Sequence, residues 1–338
     1  MTTLGILWFV LIAVLMTGYF VLDGFDLGAG VLYPFLAKDE EERAIVRRAI
    51  GPVWDGNEVW LLTAGGALFA AFPAAYATSF SGFYLAIMLV LFGLIVRAVC
   101  FEYRAHGALP KGLCDAFFFV GSLLPALLFG VAVGNVVAGI ALNANGDYTG
   151  TFFGLLTPFT LACGVLGLVH MMAQGAAWVA LKAPADGELR TRAAGMRRTL
   201  AIADLVVFAL VTILFFATVV PGSSVGLHAT ALAVVFAVVY VIGVVIPLLG
   251  KGDLAAMLGL SLACAGLVGL MAATMFPNLI VASNDAALSV TVASAASSDT
   301  ALGAMTVIAC IGVPLVLIYH VIVYRIYRGR LSKADLQA

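Results

Sequence analysis

Blocks of about 20 or more mostly apolar residues, separated by short polar connectors, run the length of this 338-residue chain. About 20 such residues cross ~30 Å of hydrocarbon as a helix. A large soluble core would instead alternate, or show amphipathic stripes. Composition agrees: 63% of residues are hydrophobic and 10% charged, against roughly 25% charged in ordinary soluble domains. The chain is read as an all-α polytopic membrane protein.

Nine spans are expected, over 4–34, 51–73, 78–100, 113–141, 152–182, 199–220, 226–249, 254–276 and 302–325. The connectors 35–50, 101–112, 183–198, 250–253 and 326–338, with the span ends beside them, hold all 17 Lys and Arg. The opposite connectors, 74–77, 142–151, 221–225 and 277–301, hold none, only Asp147, Asp285 and Asp299. The positive-inside rule then places the N-terminus outside and the C-terminus in the cytoplasm. The opening "MTTLGILWFVLIAVLM" lacks a basic n-region and a small-residue cleavage site, so it is read as the first span. The five cysteines are scattered without a CxxC pair and read as small apolar residues.

No connector is long enough for a soluble domain. The 35–50 segment reads as a charged interfacial helix, 183–198 as a basic inner loop that orients the chain and touches anionic lipid, and 277–301 as a partly ordered outer cap. No internal repeat is evident. That speaks against a transporter built from inverted repeats.

Ionisable residues inside spans are costly and are functional candidates by default. "VLDGFDLGAG" places Asp23 and Asp26 at i, i+3 on one face of span one, in its inner half. "GPVWDGNEVW" opens span two on the inner side with Asp55, and Glu58 one turn deeper. Four carboxylates on adjacent antiparallel spans thus share a similar depth. Asp55 can cap the helix after Gly51–Pro52, and Asp26 can pair with an inner arginine. A series of protonatable acids is equally what proton delivery from the cytoplasm requires. Trp54 suits an interfacial anchor. Trp60 is too deep for one, and suits a helix contact or a cavity wall. Asn57 can satisfy a neighbouring acid. The small residues of "TAGGALFAA" allow close helix approach. Arg97, Glu102 and Arg104 read first as an ion-pair network with the inner loops, and second as counter-ions to the acids. His106, His170, His228 and His320 form no ligand pattern, and His170 reads as a satisfied polar histidine. P-loop and nucleophile-elbow signatures are absent, no metal site is expected, and nucleic acid is not an expected partner.

The stretch "WDGNEVWLLTAGGALFAAFPAAYATSFSGFY" (54–84) resembles subunit II of cytochrome bd-type quinol oxidases. The likeness extends through "DGFDLGAG" (23–30), "RAVCFEYR" (97–104), "GNVVAGI" (134–140), "GLLTPFTLACGVLGL" (154–168), "AQGAAW" (173–178) and "MFPNLI" (275–280). It implies two four-helix bundles plus a peripheral helix. Residues 1–150 would form the first bundle, with the acidic motifs, and 151–338 the second bundle and remaining helices. It implies a bacterial inner-membrane subunit that holds no haem of its own. The partner would be a larger subunit I, with two b-type haems, one d-type haem and the quinol-oxidising loop; small accessory subunits and lipids would complete the complex. It assigns Asp55 to a cytoplasmic proton path and sets Trp60 near a lateral oxygen route; Glu58, Asp26 and Asp23 are candidates for the same path on their chemistry and depth, with Glu58 read either as a member or as a spectator. Some members hold a quinone in this subunit as a structural cofactor. Glu58 departs from the glutamine some members carry, and the 221–225 loop is shorter than in some relatives. The other readings of the same residues are a proton-coupled secondary transporter and a purely structural scaffold.

Overall fold

The computed structural model describes residues 1–107, 109–222, 230–332 and 335. His228 and most of the 221–225 loop lie outside the described residues, as does the side chain of His106. The chain is helical throughout its apolar blocks. Helix α1 (Thr3–Leu36) is followed by the short α2 (Glu40–Ile50), then α3 (Trp54–Ala71), α4 (Pro73–Gly82), α5 (Tyr84–His106) and α6 (Lys111–Ala138). The second half comprises α7 (Pro158–Lys182), α8 (Glu188–Leu214), α9 (Thr230–Val245), α10 (Asp253–Met275), the one-turn α11 (Val292–Ala295) and α12 (Asp299–Ile326).

Eight of the described helices are long and apolar enough to cross a membrane, one fewer than the nine expected. The exception is α3. Its 18 residues reach about 27 Å, but its first turns carry Asp55, Asn57 and Glu58. The expected 74–77 loop is also absent as such. Pro73 starts α4 at a position where its missing N–H costs nothing, and only Phe72 and Phe83 interrupt the helical path from α3 to α5. Residues 188–198, expected as loop, are instead the first turns of α8. Leu189, Ala193, Arg197 and Leu200 bury one stripe there, and that helical periodicity outweighs the charge between them.

Helices α1, α3, α5 and α6 pack together, as do α7, α8, α9 and α10. The groups meet where α1 crosses α7 and α10, and where α6 crosses α7. That crossing is unusually close. A Cβ on Gly28 would lie 1.7 Å from the Met171 carbonyl oxygen, and one on Gly175 would lie 2.2 Å from the Ala29 nitrogen. By contrast, a Cβ on Gly65 or Gly66 would meet nothing within 4 Å. Gly65 and Gly66 of "TAGGALFAA" therefore face outward, while Ala64 and Ala71 of the same stretch are buried in this chain's core, so only its alanine face draws helices of this chain together. Helix α12 touches α1 and α3 and exposes most of its length.

All paired basic connectors gather at one end. Asp39 caps α2, whose Ile45, Val46, Ala49 and Ile50 are buried. Glu40 accepts from Arg104 at 2.8 and 3.1 Å, and Arg104 also reaches Asp115 at 2.5 Å. Arg192 pairs with Glu42, while Arg190, Arg197 and Arg330 all converge on Asp253 at 3.0, 3.0 and 2.8 Å. The other end carries the cap. Strand β1 (Asn278–Ile280) pairs antiparallel with β2 (Val290–Thr291), and Ile140 bonds to Val281 beside them.

Candidate functional site

The inner half of α1 buries two acids at the joint between the helix groups. Asp23 and Asp26 are 0% and 1% exposed. A lone buried carboxylate is prohibitive, so each needs a charged or hydrogen-bonding partner. Asp23 receives Arg97 of α5, with Nη2 2.7 Å from Oδ1. Asp26 receives the Asn57 amide of α3, Nδ2 to Oδ2 at 2.7 Å. The hydroxyl of Tyr324 on α12 donates to Asn57 Oδ1 at 3.0 Å, so α1 and α12 together hold that amide in place. Glu58 sits between this cluster and the surface: its side chain is 21% exposed and its Oε2 lies 3.9 Å from Arg97 Nη2. Asp55 is exposed, one turn before Glu58.

Five side chains of the cluster keep a buried polar atom without a protein partner among the described residues. They are Tyr19 Oη, Asp23 Oδ2, Asp26 Oδ1, Arg97 Nη1 and the amide of Gln174. Buried polar groups are almost always hydrogen-bonded, to protein or to water. Gln174, from α7, enters only because residue 24 is glycine: a Cβ there would sit 2.6 Å from its Oε1.

The expected residues thus divide. Asp23, Asp26, Asn57, Glu58 and Arg97 come together. Asp55 lies outward of them and does not cap α3, whose N-cap is Val53 with no side-chain bond. Arg97 and Arg104 do not form one network. Arg97 is the counter-ion of Asp23, whereas Arg104 belongs to the connector network with Glu40 and Asp115. Glu102 is exposed on the same helix. Trp60 is buried at a helix contact, its ring against Gly18 of α1 and its Nε1 donating to His320 Nε2 at 3.1 Å. Half-buried Trp54 tilts against Phe101 at 5.9 Å.

A second buried polar group went unrecognised in the sequence. His170 of α7 places Nδ1 2.8 Å from Asp204 Oδ2 on α8, and Tyr240 of α9 donates to Asp204 Oδ1 at 2.8 Å. The signal was a lone acid in the apolar run "AIADLVVFA". His170 was read correctly as a polar histidine with a partner, although its Nε2 has none among the described residues. His170 and Gln174 both line a cavity of about 390 Å3 between α6, α7, α8, α9 and α10, with Phe129, Phe208 and Phe215 in its apolar wall. No group of three or more His, Cys, Asp or Glu suited to a metal occurs among the described residues.

Two helix groups joined over buried, paired carboxylates define a multi-pass membrane protein that keeps charge inside the bilayer. Residues 4–327 match the family described as cytochrome bd terminal oxidase subunit II. Cytochrome bd-I ubiquinol oxidase subunit 2 of Escherichia coli K12 is 38% identical over 370 aligned positions, covering 99% of this chain and 97% of that protein. Cytochrome bd ubiquinol oxidase subunit 2 of Bacillus subtilis 168 is 33% identical over 339, covering 99% of each. A chain from the structure of bd oxidase from Geobacillus thermodenitrificans shares the fold, with a TM-score of 0.77 at 17% identity, over 96% of this chain and 99% of that one. The chain belongs to the cytochrome bd terminal oxidase subunit II family. It is a multi-pass subunit of a respiratory terminal oxidase of the bacterial inner membrane.

Proposed function

We propose that this chain assembles with a haem-bearing subunit I and carries protons from the cytoplasm toward that partner's oxygen-reducing haem, in a complex that oxidises quinol. The observation that supports the path is a graded series of acids. Asp55 is exposed, Glu58 half-buried 3.9 Å from Arg97, and Asp23 and Asp26 wholly buried behind it. The series begins at the end where the basic connectors gather, the cytoplasmic end under the positive-inside rule. Arg97 gives the buried Asp23 carboxylate its counter-ion, 2.7 Å away. Water bonded to the partnerless atoms of Tyr19, Asp23, Asp26 and Arg97 would link the carboxylates that the side chains alone leave apart. Glu58 is a member of this path, at the step between surface and core.

For Trp60 and Trp54 we favour packing over an oxygen route, since Trp60 closes the junction of α1, α3 and α12. The haems are assigned to the partner. A structural quinone fits the 390 Å3 cavity: its wall is apolar, and His170 Nε2 and the Gln174 amide are the partnerless polar atoms that a ring carbonyl would need. When bound there it would fill the space between α7 and α8–α10 and support the fold.

In the assembled oxidase, Asp55→Asn and Glu58→Gln should each lower turnover and proton uptake together by about tenfold or more. Unchanged turnover and uptake in both, with haem content intact, would remove the proton role. For the cavity, His170→Phe with Gln174→Leu should lower the quinone that co-purifies while leaving haem content unchanged. Loss of a haem band instead would overturn the assignment of haems to the partner.

A further inference from the structure

A second cavity, of about 280 Å3, opens at the basic end of the molecule, apart from the acid cluster and the apolar cavity. The last turn of α2, the turn into α3, the end of α7 and the described residues Tyr327, Gly329, Arg330, Leu331 and Asp335 after α12 line it. Arg48, Lys182 and Arg330 line it against a single acid, Asp335. Their commitments differ. Arg330 is largely committed, with bonds to the carbonyls of Ala180 and Ala183 and to Asp253. Asp253 is shared by three arginines, so the clamp leaves positive charge over. Lys182 is 6% exposed, yet its ammonium is bonded only to the Tyr327 carbonyl among the described residues. Two of its three donors remain for another acceptor. Arg48 is exposed and forms no ion pair among the described residues. The remaining wall is apolar and aromatic: Trp178, whose ring lies 4.8 Å below the Lys182 ammonium, with Tyr324 and Ile326.

A buried, under-used ammonium and an exposed guanidinium outside ion-pair distance of any described acid, across one cavity, form an anion site, because positive charge with unfilled donors is costly until an anion supplies acceptors. The apolar wall at an interfacial depth selects an anion that also carries hydrocarbon. We propose that this cavity binds the headgroup phosphate of an anionic phospholipid, held by Lys182 and Arg48, with Trp178 and Ile326 against its glycerol and first methylenes. The alternative source of the same chemistry is free phosphate.

The test uses the intact oxidase complex, delipidated in detergent, with bound lipid counted by native mass spectrometry during titration with phosphatidylglycerol. The unaltered complex should retain one tightly held phosphatidylglycerol, and phosphatidylcholine should not replace it. Arg48→Glu combined with Lys182→Gln should weaken that binding by about tenfold or more, the loss of one charge-assisted hydrogen bond or greater. Lys251→Glu, at a basic position outside the cavity, should leave it unchanged. Lys182 also holds the tail, so Arg48→Gln alone, at an exposed position, keeps the test open if the double variant fails to assemble; it should weaken binding severalfold. Binding within twofold of the unaltered complex in Arg48→Gln, or equal retention of phosphatidylcholine, overturns the site. Displacement of the lipid by millimolar inorganic phosphate would make free phosphate the occupant, and overturn the lipid assignment.

Discussion

Asp23 and Arg97 form an ion pair that depends on both members. Their side chains are 0% and 3% exposed, 2.7 Å apart. Removing Arg97 leaves the buried Asp23 carboxylate without its counter-ion. Arg97→Leu should therefore cost about 3–5 kcal/mol of stability, read as a fall in the denaturation midpoint of the solubilised complex. Asp23→Asn in the same background should recover part of it, because the orphaned charge is gone. No recovery in the double variant would mean that Arg97 acts chiefly through packing. At this scale the sequence is a good guide to which residues matter and a poor one to how they pair. An acid in an apolar run announces itself by its cost, which is how Asp23, Asp26 and Glu58 were legible. The same reasoning applied to "AIADLVVFA" would have found Asp204. What no linear pattern carries is that Arg97 turns to α1 while Arg104, two turns on, turns to Glu40.

Helix contacts were legible where spacing alone decides them, and illegible where the neighbour decides. Gly28 and Gly65 look alike in sequence, yet one abuts the Met171 carbonyl and the other faces open space. Gly28→Ala should abolish or severely reduce folded yield, since a Cβ 1.7 Å from a backbone oxygen forces the helices apart. Gly65→Ala should leave the fold of the chain unchanged; membrane yield and thermal stability check both. Helix α2 gives a pH signature. The hydrogen bonds from Arg104 hold the Glu40 carboxyl down at about 2, from an ordinary 4.5. A carboxyl depressed by folding contributes stability that is complete above 4.5 and is lost as pH falls toward 2. Glu40→Gln should accordingly lower thermal stability at pH 6. The gap to the unaltered chain should close as pH drops through that window. Glu40 is largely exposed, so the effect is small. A gap independent of pH would show that the charge is not what matters there.

For the molecule as a whole, the order and number of apolar blocks carried most of the architecture, because crossing a bilayer imposes a length and a polarity on each segment separately. Segment ends were harder. The amphipathic stripe of 188–198 extended α8 into what its charge marked as loop, and Phe72–Pro73 joined two helices where a loop was expected. The mutual placement of the two helix groups was not legible, since it rests on backbone contacts at Gly28 and Gly175, glycines that nothing in the sequence sets apart from the outward-facing Gly65.

That contact also bears on motion. Where two helices meet through flexible side chains, one bundle can rock on the other on the microsecond-to-millisecond scale of domain movements. Here main chain lies against main chain at Gly28–Met171 and Gly175–Ala29, and the acids sit within a turn or two of that seam. A rocking displacement would have to break the seam before it reached Asp23 or Asp26. In such a frame the proposed path is gated by the turning of Glu58, Tyr19 and Gln174 rather than by movement of one helix group on the other. On the proposed proton path, transfer should then be a matter of side-chain kinetics in a rigid frame rather than of alternating shape.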